Sequence, residues 1–241
     1  MRNIGRLQTK KTQVEVKEAQ KRQERDMRRH AFAVQIKQGC FSAYRKALGE
    51  IWSELTQLLD EMQVQNFSLW NAENLVFGYC ELPDKLSISQ EMQQKLDALE
   101  QEVGDTYTWI SVPGESMRLM YEDFGVVRSN KELIRHRVFM TRLKPGKQEE
   151  YKRRHDALAE QRCGKINPGP DSNFSIWNAG DYIFGYDEID ITMEQEETEE
   201  DRENSKIWET YMLEIMSWIT DDVDWLTGMH HKHIQRIGFH R

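Results

Sequence analysis

Asn66-Phe-Ser-Leu-Trp-Asn-Ala-Glu-Asn-Leu-Val-Phe-Gly-Tyr-Cys-Glu-Leu82 returns 107 residues later as Asn173-Phe-Ser-Ile-Trp-Asn-Ala-Gly-Asp-Tyr-Ile-Phe-Gly-Tyr-Asp-Glu-Ile189. Ten of the seventeen positions are identical, and most of the others exchange one apolar residue for another. The same offset aligns Arg28 with Arg135, Phe32 with Phe139, Ile36 with Leu143, Lys37 with Lys144, Gly39 with Gly146 and Tyr44 with Tyr151. An offset held over more than fifty residues is a duplication, and a fixed internal period sets the architecture before any local reading does.

Around that segment each copy reads alike. His30 to Lys37 alternates, with Phe32, Val34 and Ile36 on one face, the period of a half-buried strand. After Gly39, the apolar residues Phe41, Tyr44, Leu48, Ile51, Leu55 and Leu58 step by three or four, predicting a helix with one inward stripe. The quoted segment is two strands, Asn66–Trp70 and Leu75–Glu81, joined by a short Asn-Ala-x-Asn/Asp turn. A second helix over Gln90–Glu102 and a closing strand over Met117–Val127 complete the copy. The second copy predicts strand Arg137–Leu143, helix Gln148–Gln161, strands Asn173–Trp177 and Tyr182–Ile189, helix Arg202–Ile219 and a short strand near Ile234–Phe239. The order β-α-β-β-α-β is the ferredoxin-like unit. One such unit leaves a sheet face bare, so an α+β pseudo-dimer with the two sheets face to face is expected.

The expected boundaries are a charged extension at 1–26, a first repeat at 27–129 and a second at 130–241. Residues 1–26 are too poor in apolar side chains to form a core, and Met27-Arg-Arg-His would make a domain start. Glu194–Glu203 is nearly all acidic and reads as a solvated loop and helix entry. Asn167-Pro-Gly-Pro170 breaks the chain between helix and strand, and is expected to shape one rim of a cleft.

With 33 Lys and Arg against 41 Asp and Glu, the chain of 241 residues carries a formal charge of −8. That balance argues against nucleic acid as a partner, which demands a basic face to neutralise phosphates. Mean hydropathy is −0.79, no apolar run approaches the roughly 18 residues that span a bilayer, and the opening stretch has no apolar signal region. Cys40, Cys80 and Cys163 are odd in number and far apart, which suits a reducing compartment better than a disulfide framework. The expectation is a cytoplasmic protein without membrane attachment.

Chemistry is sought where the copies differ. Tyr44-Arg-Lys-Ala-Leu48 of the first copy becomes Tyr151-Lys-Arg-Arg-His155 in the second. Residues four apart on a helix share a face, and the partners Tyr44 and Leu48 place that face inward. An imidazole thus replaces a leucine one turn from a phenol, and its ordinary pKa of about 6.5 suits it to give and take protons near neutrality. A core histidine hydrogen-bonded to a backbone carbonyl is the plainer alternative and stays open. Arg153 and Arg154 would lower the His155 pKa by like-charge repulsion, or are simply solvated helix arginines.

Tyr151-Lys-Arg-Arg-His155 resembles the Tyr-x-Arg-Arg-His motif of the L-rhamnose mutarotases, sugar anomerases of ferredoxin-like, dimeric α+β-barrel fold. There the motif opens the first helix and is followed by Ile-Trp-Pro-Glu-Leu. The first copy keeps that second half as Ile51-Trp-Ser-Glu-Leu55, with Ser53 for the Pro, while the second reads Leu158-Ala-Glu-Gln-Arg162. Met27-Arg-Arg-His-Ala-Phe-Ala-Val-Gln-Ile is similar to a family N-terminus. The family's Asn-Tyr strand, 23 residues past the motif Tyr, falls on Asn66-Phe67 and Asn173-Phe174. The resemblance implies His155 as proton donor, with Tyr151, Phe174 and Trp208 binding a monosaccharide. Phe174 stands where the family has Tyr, and Trp208 is single where the family has a tandem Trp pair. It also implies no metal and no cofactor. The first copy, with Leu48 in place of the histidine, would be a degenerate half of a fused pseudo-dimer, and a homodimer is the other arrangement.

Two other readings compete. His230, His231, His233 and His240 crowd the C-terminus, and His231 and His233 would share one strand face, as two metal ligands can; no Cys or HExxH partner accompanies them. Folds of this kind also carry haem enzymes and monooxygenases, so architecture alone does not assign an activity. A catalytically inactive sugar-binding or structural protein is the alternative from another class.

Overall fold

Alternation along the first strand sends Phe32, Val34 and Ile36 toward helices and Ala31 and Ala33 toward a second sheet. The whole architecture follows from that division. The computed structural model describes residues 27–128, 130–220 and 234–241; the extension expected at 1–26, and His230, His231 and His233, lie outside them.

The first half runs β1 (Met27–Ile36), α1 (Phe41–Glu61), β2 (Gln65–Ala72), β3 (Leu75–Pro83), α2 (Gln90–Gly104), β4 (Tyr107–Trp109) and β5 (Arg118–Gly125). The second runs β6 (Ile134–Leu143), α3 (Gln148–Arg162), β7 (Asp171–Ala179), β8 (Tyr182–Asp190), α4 (Glu199–Leu213), β9 (Met216–Thr220) and β10 (Gln235–His240). Two five-stranded antiparallel sheets result, in the orders β10-β2-β3-β1-β4 and β5-β7-β8-β6-β9. Each is a ferredoxin-like β-α-β-β-α-β unit carrying one extra edge strand from the other half.

That extra strand corrects the sequence reading. Met117–Val127 does not close the first copy: β4 does, beside β1, while β5 crosses to pair with β7. The C-terminal strand likewise leaves its own copy and pairs, as β10, with β2. The helix expected over Arg202–Ile219 ends at Leu213, and the residues after it form β9 against β6. Thr198 starts that helix with a capping box, its hydroxyl accepting the Asp201 backbone N–H while the Asp201 carboxylate accepts the Thr198 N–H. Phe41, predicted inward, is exposed. The hairpin turns are shorter than expected: Glu73-Asn74 and Gly180-Asp181 alone connect the strands. Asn71 and Asn178 belong to the strands, and each side-chain amide donates to two carbonyls across its turn.

The sheets meet face to face. Phe77 stacks on Phe184 with ring centroids 5.1 Å apart, and Tyr79 on Tyr186 at 3.7 Å. The duplicated Phe-Gly-Tyr has its glycine for a steric reason on the opposite face. A Cβ on Gly78 would lie 2.1 Å from the Phe32 ring, and one on Gly185 2.0 Å from Phe139, so only glycine lets each ring lie on its neighbouring strand. The repeated Asn and Glu tie the two halves together. Asn66 and Asn173 take left-handed backbone (φ 54° and 57°) at bulges in β2 and β7, a conformation asparagine tolerates. The Asn66 Nδ2 donates to Glu188 at 2.6 Å and to Glu81 at 3.2 Å, and the Asn173 Nδ2 donates to Glu81 at 2.6 Å and to Glu188 at 3.3 Å. Both carboxylates are buried, and Lys131 reaches the second oxygen of Glu188 at 2.5 Å. Among the described residues no helix is long and apolar enough to cross a membrane.

Candidate functional site

In the second half, α3 and α4 leave a cavity of about 160 Å³ against the sheet. All four residues singled out in the sequence line it: Tyr151 and His155 from α3, Phe174 from β7 and Trp208 from α4. Four others that the sequence reading missed join them. Tyr121 comes from β5, Arg137 from β6, Glu209 from α4 and Trp218 from β9.

His155 sits among rings. It stacks on Tyr151 at a centroid distance of 4.3 Å, and Trp208 and Tyr121 meet it edge-on at 5.2 and 5.3 Å. Its Nδ1 lies 3.1 Å from the Tyr151 carbonyl oxygen one helical turn earlier. A carbonyl only accepts, so Nδ1 is the protonated nitrogen of the neutral ring and Nε2 keeps a lone pair. The plainer sequence alternative, a histidine bonded to a backbone carbonyl, therefore describes half of this residue. Burial lowers its pKa to about 4, since a charged ring would lose its hydration.

Neither arginine beside it is among the groups that lower the imidazole pKa, and Arg153 is exposed, as the solvated alternative has it. Arg153 pairs with Glu150. Arg154 is buried, lies over the Tyr211 ring at 3.6 Å, and pairs with Glu150 and Glu214 at 2.8 and 2.9 Å. With their charge matched locally, neither sets the imidazole; burial does, and Lys152 adds to it. Arg154 instead ties α3 to the end of α4, through Glu214 and the Tyr211 carbonyl, and so holds the two walls of the cavity together.

The remaining walls have their own supports. Burial pushes the Tyr151 phenol well above its usual range, leaving it a neutral hydroxyl. Phe174 is half-buried and meets Tyr121 edge-on at 5.6 Å. Glu209 is buried, and its Oε1 accepts the Trp218 indole N–H at 2.6 Å. Trp218 thus brings a second indole to the cavity with Trp208, from β9 rather than from a tandem position on the helix. Asn167–Pro170, expected at the rim, packs elsewhere: Arg128 donates to the Pro168 carbonyl at 2.9 Å, and none of the four residues lines the cavity. His240 bonds to Asp60 at 2.7 Å. Among the described residues no group of three or more His, Cys, Asp or Glu side chains is placed to hold a metal.

Tyr121 had no sequence signal that placed it at this cavity. It lies in the strand assigned to the first copy, and only the exchange of edge strands carries it into the second cavity. Trp218 and Glu209 repeat Trp109 and Glu100, whose indole N–H and carboxylate bond in the same way at 2.8 Å. That correspondence runs at an offset of 109, because Val34 faces Trp109 and its counterpart Thr141 faces Trp218.

Comparison with known proteins gives three findings. A profile described as L-rhamnose mutarotase matches residues 29–109 and 136–233. The L-rhamnose mutarotase of Jannaschia sp. (strain CCS1) is 42% identical over 54 residues, covering 22% of this chain and 52% of that protein. The chain spans about half the length of that relative. A crystal structure titled as a putative monooxygenase from Fusobacterium nucleatum aligns over 79% of this chain and 87% of its own at a TM-score of 0.35 and 9% identity, a likeness too weak to bear on activity.

Proposed function

The chain belongs to the L-rhamnose mutarotase family, and from that premise we propose that it interconverts the α and β anomers of L-rhamnose or a similar deoxy sugar in the second-half cavity. His155 is the acid–base group. The observation that carries this reading is the buried, neutral imidazole with Nδ1 held by a backbone carbonyl and a ring of aromatic walls around it.

Anomer exchange requires the anomeric hydroxyl to lose its proton while the ring oxygen gains one. The C1–O5 bond then opens, the carbonyl rotates, and both proton transfers reverse. Nε2, the ring's lone-pair nitrogen, takes the O1 proton and returns it to O5, which lies on the same carbon. A conjugate acid with a pKa near 4 is a strong proton donor to an ether oxygen. Such transfer contributes roughly 10²- to 10⁴-fold in rate. Trp208 and Phe174 supply apolar faces for the deoxy side of the sugar, and the neutral Tyr151 hydroxyl and the Glu209 carboxylate supply a donor and an acceptor for its hydroxyls. The proposal needs no metal or redox cofactor, because the reaction is a pair of proton transfers.

The test is saturation-transfer proton NMR on equilibrated L-rhamnose. Irradiating one anomeric proton is expected to diminish the other when protein is present, and His155→Ala is expected to abolish that transfer while the sugar still binds. Binding without transfer in the native protein would replace this reading by that of a sugar-binding protein. Neither binding nor transfer on L-rhamnose or L-fucose would remove the sugar.

A further inference from the structure

The first half has a cavity of its own in the corresponding place, and at about 410 Å³ it is the larger. Its lining follows most positions of the second cavity, Tyr44 for Tyr151 and Glu100 for Glu209 included, but without the imidazole and the helix indole. Leu48 stands for His155, and Leu99 for Trp208 at the offset that relates Trp109 to Trp218. Phe32, Phe67 and Trp109 repeat Phe139, Phe174 and Trp218. Two rings are thus exchanged for isobutyl groups, and among the described residues none fills the room they would occupy.

We propose that this first-half cavity is a separate binding site for an uncharged, largely hydrocarbon small molecule. A sugar does not suit it: hydroxyls laid against Leu48 and Leu99 would leave water without gaining partners, which costs binding. Two acidic groups on its walls are already engaged. Glu100 accepts the indole N–H of Trp109 at 2.8 Å and the Tyr107 hydroxyl at 3.2 Å, and Asp97 accepts from Gln93 at 2.8 Å. Charged groups of both signs lie on the lining, Arg28 against Asp97 and Glu100, so no single ionic head group is favoured. Burial and the nearby Arg28 both lower the His30 pKa, so that ring stays uncharged. Apart from the Tyr44 hydroxyl, what remains is chiefly apolar area in a pre-formed concavity, the setting in which a hydrocarbon ligand releases water at little loss. The proposal stands independently of the sugar reading of the second cavity.

The experiment uses the full chain and N-phenyl-1-naphthylamine, an uncharged fluorescent probe. Saturable enhancement at one site per chain is expected, displaced by 1-decanol and not by L-rhamnose. Leu99→Trp, which restores the second-half residue, is expected to weaken probe binding by roughly tenfold or more, and Trp208→Leu not to weaken it. In the native protein, nuclear Overhauser contacts from decanol to the methyl groups of Leu48 and Leu99 are expected, a readout that does not depend on any variant folding. Absence of saturable binding, absence of those methyl contacts, or loss of binding in Trp208→Leu would each overturn the proposal. Displacement by decanoate more tightly than by decanol would overturn the uncharged ligand class.

Discussion

The two helix-covered cavities are built on one plan and filled with different chemistry. Both keep a tyrosine on the first helix, a phenylalanine on the strand that follows it, and a tryptophan hydrogen-bonded to a glutamate on the second helix. The second adds His155 and Trp208 and is small; the first has Leu48 and Leu99 and is large. Shared residues hold the walls in place, and the differing residues decide what can happen between them. The two cavities can differ without disturbing the fold, because the sheet-to-sheet core that joins the halves does not involve either cavity's distinctive side chains.

The largest effect is expected from removing the difference at its centre. His155→Ala should lower anomer exchange by roughly 10²-fold or more, read as NMR exchange rate at saturating sugar. Leu48→Ala at the matching position should leave exchange unchanged and cost about 2 kcal/mol of stability, the low end for a leucine truncation because its site already adjoins open space. Equal losses of exchange in both variants would mean that the halves are not divided as described.

Next is the wall that one half lends to the other. Tyr121 reaches the second cavity on β5, between Phe174 and His155. Tyr121→Ala is expected to raise the sugar KM several-fold with a smaller change in kcat, since the ring bounds the site rather than moving a proton. Its counterpart position on β10 is Gly238, which faces Leu69 as Tyr121 faces Ile176; the Trp52 ring fills the space there. A fragment of residues 130–241 lacks β5, so it should lose exchange along with its edge strand. Full activity in that fragment would break the shared-wall account.

Much of this comparison was legible in the amino-acid sequence, and the parts that were not share a cause. The offset of 107 reads directly from Asn66–Leu82 against Asn173–Ile189, and Tyr151 with His155 reads from helical spacing alone. After Ile189 the second copy is longer by two residues before its second helix. Leu99 and Trp208, Glu100 and Glu209, and Trp109 and Trp218 consequently fall out of alignment until strand register pairs them. The exchange of β5 and β10 is invisible for another reason. Alternation says that a segment is a strand with one apolar face, but not which of two similar sheet edges will take its backbone hydrogen bonds. Glu81 and Glu188 looked like ordinary strand residues, because the amide that bonds each most closely belongs to the opposite half.

Acid should destabilise the halves unequally. The His155 pKa falls to about 4 by burial, below the ordinary value of about 6.5. Between those two values the unfolded chain binds a proton that the folded one refuses, so stability is lost as pH drops from about 6.5 toward 4. The shift amounts to about 2 kcal/mol between pH 7 and 4.5. His155→Leu, which copies Leu48, should remove that loss in urea melts compared at the two pH values. His136, likewise held near 4, faces Trp70 and Phe239 in the sheet interface and should keep its own share in the variant. An unchanged slope in His155→Leu would place the histidine in water and remove the buried-base mechanism with it.

The smallest expected effect lies on β8, where Asp187 stands for Cys80 of β3. Burial, with the Asp171 carboxylate beside it, pushes Asp187 up to about 8, against the opposing pull of Arg137. The sign is opposite to that of His155. A raised carboxyl pKa means that the folded state holds a proton the unfolded state has given up, so stability falls as pH climbs from the ordinary carboxyl value near 4 to about 8, and levels off above it. The last part of that loss, between pH 7.5 and 9, is about 1 kcal/mol. Asp187→Asn keeps the shape and cannot ionise, and should flatten the alkaline fall by that amount. Cys80→Ser in the first half should not, because burial holds the Cys80 thiol near 12, above the range tested. If both variants flattened the curve equally, the alkaline loss would belong to a group outside this pair of positions. If Asp187→Asn alone flattened it, the second half would carry a protonated carboxyl next to Arg137 on the cavity wall.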